Sequence, residues 1–287
     1  MLAIYKRELK SYFTSMMGYV FIGFVLLFIG IYTTAYNLKY LYPAFEIVID
    51  STAFMFLIVV PILTMRVFAE ERKQKTDQLL YSLPLGLSEI VMGKYLAMVT
   101  LFAIPTAVIC LYPLVLAQFG TVALATAYSS IAAFFLEGCA LIALGMFMSS
   151  LTENQIISAV LCFAVLLICY LMGGIIELLT TTAIASVIAL TLFAVLLGVV
   201  VRMLTRSNSM AILGALIAEI PLLVLYLVSP STLEGAFGTL LSALAVFDQM
   251  GSFIDGVFDL TSVVYFLSAA ALFVFFTVQS LEKRRWS

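Results

Sequence analysis

The chain has 287 residues, of which 64% are hydrophobic and only 10% charged, and its mean hydropathy is +1.19. Those values belong to an integral membrane protein and exclude an ordinary soluble domain. A net charge of -2 and a pI near 5.2 supply no basic field for nucleic acid, and the absence of histidine removes zinc-protease signatures, Ser-His-Asp triads and histidine proton relays. Cys110, Cys139, Cys162 and Cys169 lie in apolar runs without metal-ligand spacing and read as small buried hydrophobes.

In chain order, residues 1–15 place Leu2, Tyr5, Leu9, Tyr12 and Phe13 toward one helical face and Lys6, Arg7, Lys10 and Thr14 toward the other, the pattern of an interfacial helix. Met16 to Tyr36 is long and apolar enough to cross a bilayer and reads as a retained first span rather than a cleaved signal. A polar loop from Asn37 to Asp50 leads to a second span, Ser51 to Val67, with a kink expected at Pro61.

Next comes the densest charge in the chain, seven ionised side chains between Arg66 and Asp77. Each would cost about 2.5 to 3.5 kcal/mol in hydrocarbon, so the segment is placed in water between two spans. Glu70 to Leu83 contains no Gly or Pro and ends at Pro84, which predicts one short helix, charged at first and apolar at Leu79, Leu80, Tyr81 and Leu83. Such a helix suits insertion into a groove on another protein; the alternative is a positive-inside loop that only sets topology.

Ser88 is expected to cap the next helix, with Glu89 in its first turn and Lys94 at the water line. The third span is Tyr95 to Leu116 and the fourth Tyr128 to Met148. Thr152 and Gln155 have capping-box spacing in the polar connection 149–155. A fifth span (156–176), a sixth (178–201) and a seventh (210–228) follow. Residues 229–260 are too broken by Gly and Pro to span and predict two short helices dipping into the outer interface; 261–281 is the last span. With eight spans and both termini inside, Lys6, Arg7, Lys10, Arg66, Arg72, Lys73, Lys75, Lys94, Arg202, Arg206, Lys283, Arg284 and Arg285 lie inside and only Lys39 outside. The fold class is therefore an all-α polytopic membrane protein in a single transmembrane domain.

Ala69-Glu70-Glu71-Arg72, Thr76-Asp77-Gln78-Leu79-Leu80, Leu83-Pro84, Glu89-Ile90-Val91 and Gly93-Lys94 resemble the first cytoplasmic loop of ABC-2 type ABC transporter permeases, particularly the gliding-motility and multidrug-like branch. The runs Ser150 to Gln155, Phe258 to Leu260 and Leu281 to Arg285 are similar to that branch as well. The resemblance implies a type V exporter-like helical bundle in a bacterial plasma membrane. It makes residues 1–15 an interfacial elbow, residues 66–94 a cytoplasmic loop carrying the coupling helix, and 229–260 a re-entrant segment. It assigns coupling to an ATPase to Glu70, Glu71, Arg72, Thr76, Asp77, Leu79, Leu80 and Leu83, with Thr152, Glu153 and Asn154 in the second connection. The family pattern has six spans, so residues 183–228 stand out as an additional pair.

The chain has no G-x-x-x-x-G-K-[ST] motif, because Gly93-Lys94 is followed by Tyr95. No cofactor is therefore expected in this chain; ATP and magnesium would be held by a nucleotide-binding ATPase subunit, and a second permease, identical or different, would complete the pathway. Glu137 and Glu219 lie within spans and are candidate pathway residues, Glu137 ahead of Glu219, set against a reading of each as a protonated or hydrogen-bonded structural carboxyl. Gly138-Cys139-Ala140 and Gly173-Gly174 read as sites of close helix packing. Two other classes compete. An intramembrane enzyme would have to gather Glu137, Glu219, Asp248, Asp255 and Asp259 into one site, and a membrane anchor would position other subunits without transport.

Overall fold

A computed structural model describes residues 1–75, 86–178, 182, 186–192 and 233–285. All regular structure among them is helical. Among the described residues, an amphipathic helix α1 (Leu2–Thr14) precedes six helices long and apolar enough to cross a membrane. Five of these are α2 (Met16–Lys39), α3 (Glu46–Lys73), α4 (Leu87–Leu116), α5 (Leu124–Leu151) and α6 (Gln155–Leu178). The short helices α7 (Ala236–Ser242) and α8 (Gly251–Ile254) lie before the sixth, α9 (Leu260–Arg284). The expected sixth and seventh spans and Glu219 fall mostly or wholly outside the described residues; within that stretch residues 186–192 are helical.

The transmembrane chain divides into two compact units, residues 1–170 with 247–287, and residues 171–246. In the second, Met172, Leu241 and Ala245 form a small core flanked by Ile176 and Phe237.

The first unit is organised around α5. Phe56 of α3, Phe102 of α4 and Phe134 of α5 form an aromatic core, with centroids 4.8 Å apart for Phe56–Phe134 and 5.7 Å for each ring against Phe102. Glycine at 138 makes this approach possible: a Cβ there would lie 2.3 Å from Cε1 of Phe102. That is the close packing expected of the Gly138-Cys139-Ala140 cluster. Along the same helix, Phe147 meets Phe276 of α9 at 5.7 Å.

Pro61 and Pro105 lie inside continuous helix and no break is set at either of them. In α3, Pro61 sits inside Phe56–Thr64, with a 3-10 turn at Ala53–Met55 before it. In α4 the helix breaks between Ile109 and Leu111, just ahead of Pro113, and the Tyr128 hydroxyl donates to the Cys110 carbonyl at 3.1 Å. Pro113 cannot donate to the Ile109 carbonyl four residues back, and at this break the Tyr128 hydroxyl supplies an outside donor to the neighbouring Cys110 carbonyl. Asn37 belongs to a π-helical end of α2, and helix resumes at Glu46, so the expected loop 37–50 shortens to residues 40–45.

Two expected caps are replaced. Gly86 is the N-cap of α4 and no side chain caps that helix; Ser88 lies within its first turn. Before α6, Asn154 Oδ1 accepts the Ile156 N–H at 2.9 Å, while the Thr152 hydroxyl donates to the Asn154 carbonyl at 3.1 Å. An Asx-type turn thus supersedes the Thr152–Gln155 capping box, because the helix begins at Gln155 and Asn154, immediately before it, reaches the second helical N–H.

Candidate coupling end of the helix bundle

The segments that carry the motifs meet at one end of the first unit. The α1 helix lies along α4, where Gly93 admits it: a Cβ at that position would lie 3.2 Å from Cβ of Ile4. One residue later, Lys94 is only 2% exposed. Its Nζ donates to Glu71 Oε1 at 2.8 Å, to the Val67 carbonyl at 3.0 Å and to Glu8 Oε1 at 3.3 Å. It also stands 5.3 Å from the centre of the Phe68 ring. Lys94 therefore does not mark the water line as expected. It is enclosed by protein, which is tolerable because three acceptors, two of them carboxylates, replace its water shell.

Arg7 extends the network, pairing with Glu8 at 2.6 Å and with Glu71 at 3.2 Å. Partial burial opposes its charge, but the two carboxylates outweigh it and hold the guanidinium above its ordinary value. Burial, and then the negative charge of Glu8 and Glu71, push the Tyr12 phenol well above its usual range. Tyr5 adds a neutral tie, donating to the Thr100 hydroxyl at 3.2 Å. The elbow is thus fastened to α4 and to the end of α3 by one polar lattice.

The expected helix from Glu70 to Leu83 is not continuous. Ala69–Lys73 closes α3, and the described chain then turns through Gln74 to Lys75, whose φ is 57°. A non-glycine residue in that left-handed conformation ends a helix, so the charged half is the terminus of a span rather than a separate solvent helix. The start of this last piece is capped from α5: Ser149 Oγ accepts the N–H groups of Phe68 at 3.2 Å and Ala69 at 3.3 Å. Thr76, Asp77, Leu79, Leu80 and Leu83 lie outside the described residues.

The remaining expected coupling residues divide by direction. Glu71 turns inward to Lys94, and Arg72, 7% exposed, reaches the Thr152 carbonyl at 3.5 Å. Glu70 faces outward, between Arg66 at 3.7 Å and the Gln74 amide at 3.3 Å. Glu153 is the most exposed, with 73% of its side chain accessible, and pairs with Arg284 at 3.6 Å. Arg284 also donates to the Leu151 carbonyl at 2.6 Å, which brings the tail beside the 149–155 connection. Four segments distant in sequence therefore share one end: the elbow, the end of α3 with the start of α4, the α5–α6 connection, and the tail. Lys39 lies at the opposite end of α2.

Sequence reasoning passed over Glu8 and Ser149. For Glu8 the available signal was an acid on the inner face of an otherwise basic amphipathic helix.

Glu137 is elsewhere, within α5. It is fully buried, and neither carboxyl oxygen has a hydrogen-bond partner among the described residues. A groove of about 400 Å³ between α2 and α4, lined by residues including Thr33, Leu38, Val108 and Tyr112, does not include it. Nor do Asp248, Asp255 and Asp259 gather around it: no cluster of three or more acidic or thiol side chains able to hold a metal occurs among the described residues. Asp259 instead starts α9, accepting the Thr261 N–H at 2.8 Å and the Ser262 hydroxyl at 3.2 Å. Those hydrogen bonds hold its carboxyl below the usual range.

Searches of curated proteins and of solved structures returned no match. The family model for ABC-2 family transporter proteins matches residues 5–232, from the elbow to just before α7. That is well over half of the 287 residues, and the chain belongs to this family: it is a multi-pass membrane protein, the permease subunit of an ABC transporter rather than an enzyme.

Proposed function

We propose that this permease is driven by a separate ATPase subunit that docks on the loop leaving α3, and that the transporter works as an exporter in a bacterial plasma membrane. The observation that carries the reading is the convergence at one end of the bundle. The charged terminus of α3 is braced by Lys94, Ser149 and Thr152. The sequence that continues from that braced point carries Thr76, Asp77, Leu79, Leu80 and Leu83. A loop anchored on rigid helix ends is a lever: a force applied at its tip reaches α3 and α4 without being absorbed at the base.

On this reading the inward-turned Glu71 and Arg72 brace the lever, while Glu70, Glu153 and the apolar loop residues face the partner. Leu79, Leu80 and Leu83 supply the buried part of the docking contact. The end rich in Lys and Arg, opposite Lys39, is cytoplasmic, as the positive-inside rule requires. Both termini then share that side. Residues 183–228 add two spans to the six of the family pattern. ATP and magnesium bind the partner, this chain holds no cofactor, and a second permease completes the pathway. Glu137 and Glu219 remain the pathway candidates.

The test is site-directed cross-linking. With Gln78→Cys as the attachment point, a bifunctional reagent should join this chain to its co-expressed ATPase subunit, and Lys39→Cys, at the opposite end of α2, should not. Equal yields from the two positions would refute the docking assignment.

A further inference from the structure

Among the described residues, nothing covers the outer face of α1, where Leu2, Lys6 and Lys10 are exposed. Ile4 and Glu8 turn toward α4, and Glu8 is fully engaged by Arg7 and Lys94. One turn apart on the other side stand Lys6 and Lys10, both exposed, neither with an ion-pair partner among the described residues. Leu2, 66% exposed, lies on the same side. The elbow's acid is thus spent inward and its two free cations point outward.

What lies outside is indicated by the helix that follows. Met16, Tyr19 and Val20 open α2 and are strongly exposed, the surface that a membrane span offers to lipid. Phe13 of α1 packs edge-on against Tyr19 at 5.8 Å, so the elbow's outer edge is continuous with that lipid-facing surface. Aromatic rings at the start of a span sit at headgroup level, and lysine stems there run along apolar surface with the ammonium at the phosphates.

We infer that the outer face of α1 binds the headgroups of anionic phospholipids through Lys6 and Lys10, with Phe13 and Tyr19 set beneath them. The inference does not depend on the coupling mechanism, because it concerns the face of α1 turned away from α3 and α4. A single cation near an anionic surface favours it by about fivefold, so the pair gives up to about 25-fold, which salt screening and lipid exchange reduce to several-fold. A permease fastened in this way has an elbow held from both sides, by Lys94 within and by lipid phosphate without.

The experiment places a tryptophan reporter at the elbow, Phe13→Trp in a Trp286→Phe background, in the full chain reconstituted in bilayers. Quenching by brominated phosphatidylglycerol and by brominated phosphatidylcholine gives their relative binding at that site. The glycerol lipid should be preferred several-fold. The preference should fall close to unity in Lys6→Gln/Lys10→Gln, return in Lys6→Arg/Lys10→Arg, and weaken in concentrated salt. Equal quenching by the two lipids in the reporter protein, or a preference unchanged by the glutamine pair, would overturn the inference and leave the outer face of α1 to a protein partner.

Discussion

Lys94→Met isolates the contribution of the buried network. The ammonium it removes is 2% exposed and is held by Glu71 Oε1, the Val67 carbonyl and Glu8 Oε1 within 3.3 Å. Without it, the Glu8 and Glu71 carboxylates lose the buried ammonium they share, while Arg7 still pairs with both. Breaking a buried ion pair by deleting one partner costs about 3 to 5 kcal/mol. Because the two glutamate side chains keep 16% and 19% of their exposure, water offsets part of the loss and the lower end, about 3 kcal/mol, is expected. Adding Glu71→Gln removes one of the two carboxylate charges that shared the ammonium, so the double variant should recover part of the loss even though it lacks both members of that pair. Reversible unfolding of the purified chain in mixed micelles, titrated with a denaturing detergent, measures all three proteins. A cost below about 1 kcal/mol for Lys94→Met, the value of an exposed ion pair, would refute the buried-hub reasoning.

Gly138→Ala should destabilise the chain by about 1 to 3 kcal/mol in the same titration, because the new methyl meets the Phe102 ring of a packed aromatic core. Ser149→Ala strips the hydroxyl that accepts the Phe68 and Ala69 N–H groups; a loss of about 1 kcal/mol is expected, with faster amide exchange confined to residues 66–73. At Asp259 the depressed carboxyl pKa gives a definite sign. Its capping contribution is present above the unfolded carboxylate pKa and is lost as pH falls through the lower folded value. Asp259→Asn, whose single carbonyl oxygen can still accept the Thr261 N–H, should remove that acid-side dependence while retaining the start of α9, and Asp259→Ala should fray it, as read by exchange at Thr261 and Ser262.

The spans were legible because hydrocarbon imposes a length and a composition that few soluble helices share. The helix ends were less so. Met16, Leu124 and Leu260 begin helices within a few residues of where hydropathy placed them, but α3 extends to Lys73 because protein, not lipid, surrounds its charged end. A hydropathy reading treats every charge as a demand for water. Lys94 and Arg72 satisfy that demand with carboxylates and carbonyls from segments about 20 to 90 residues away, pairings no local pattern encodes. The motif Gly93-Lys94 was recognisable, yet its reason emerges only when the elbow is seen to lie on Gly93 and Glu8 to meet Lys94. Likewise Ser149 read as part of a polar connection, and its capping of a helix about 80 residues earlier is a tertiary fact. The family assignment needed none of these details, since the motifs and the match over residues 5–232 agree.

The central claim, that the loop after α3 couples this permease to an ATPase, is tested most directly by ATP turnover of the co-purified complex in lipid bilayers. The comparison is between the native chain and Leu79→Asp/Leu80→Asp/Leu83→Asp, with insertion and folding checked on the same samples. The account predicts that the inserted, folded triple variant loses its ATPase subunit or hydrolyses ATP without transport. A variant that keeps its partner, its turnover and its transport would contradict it.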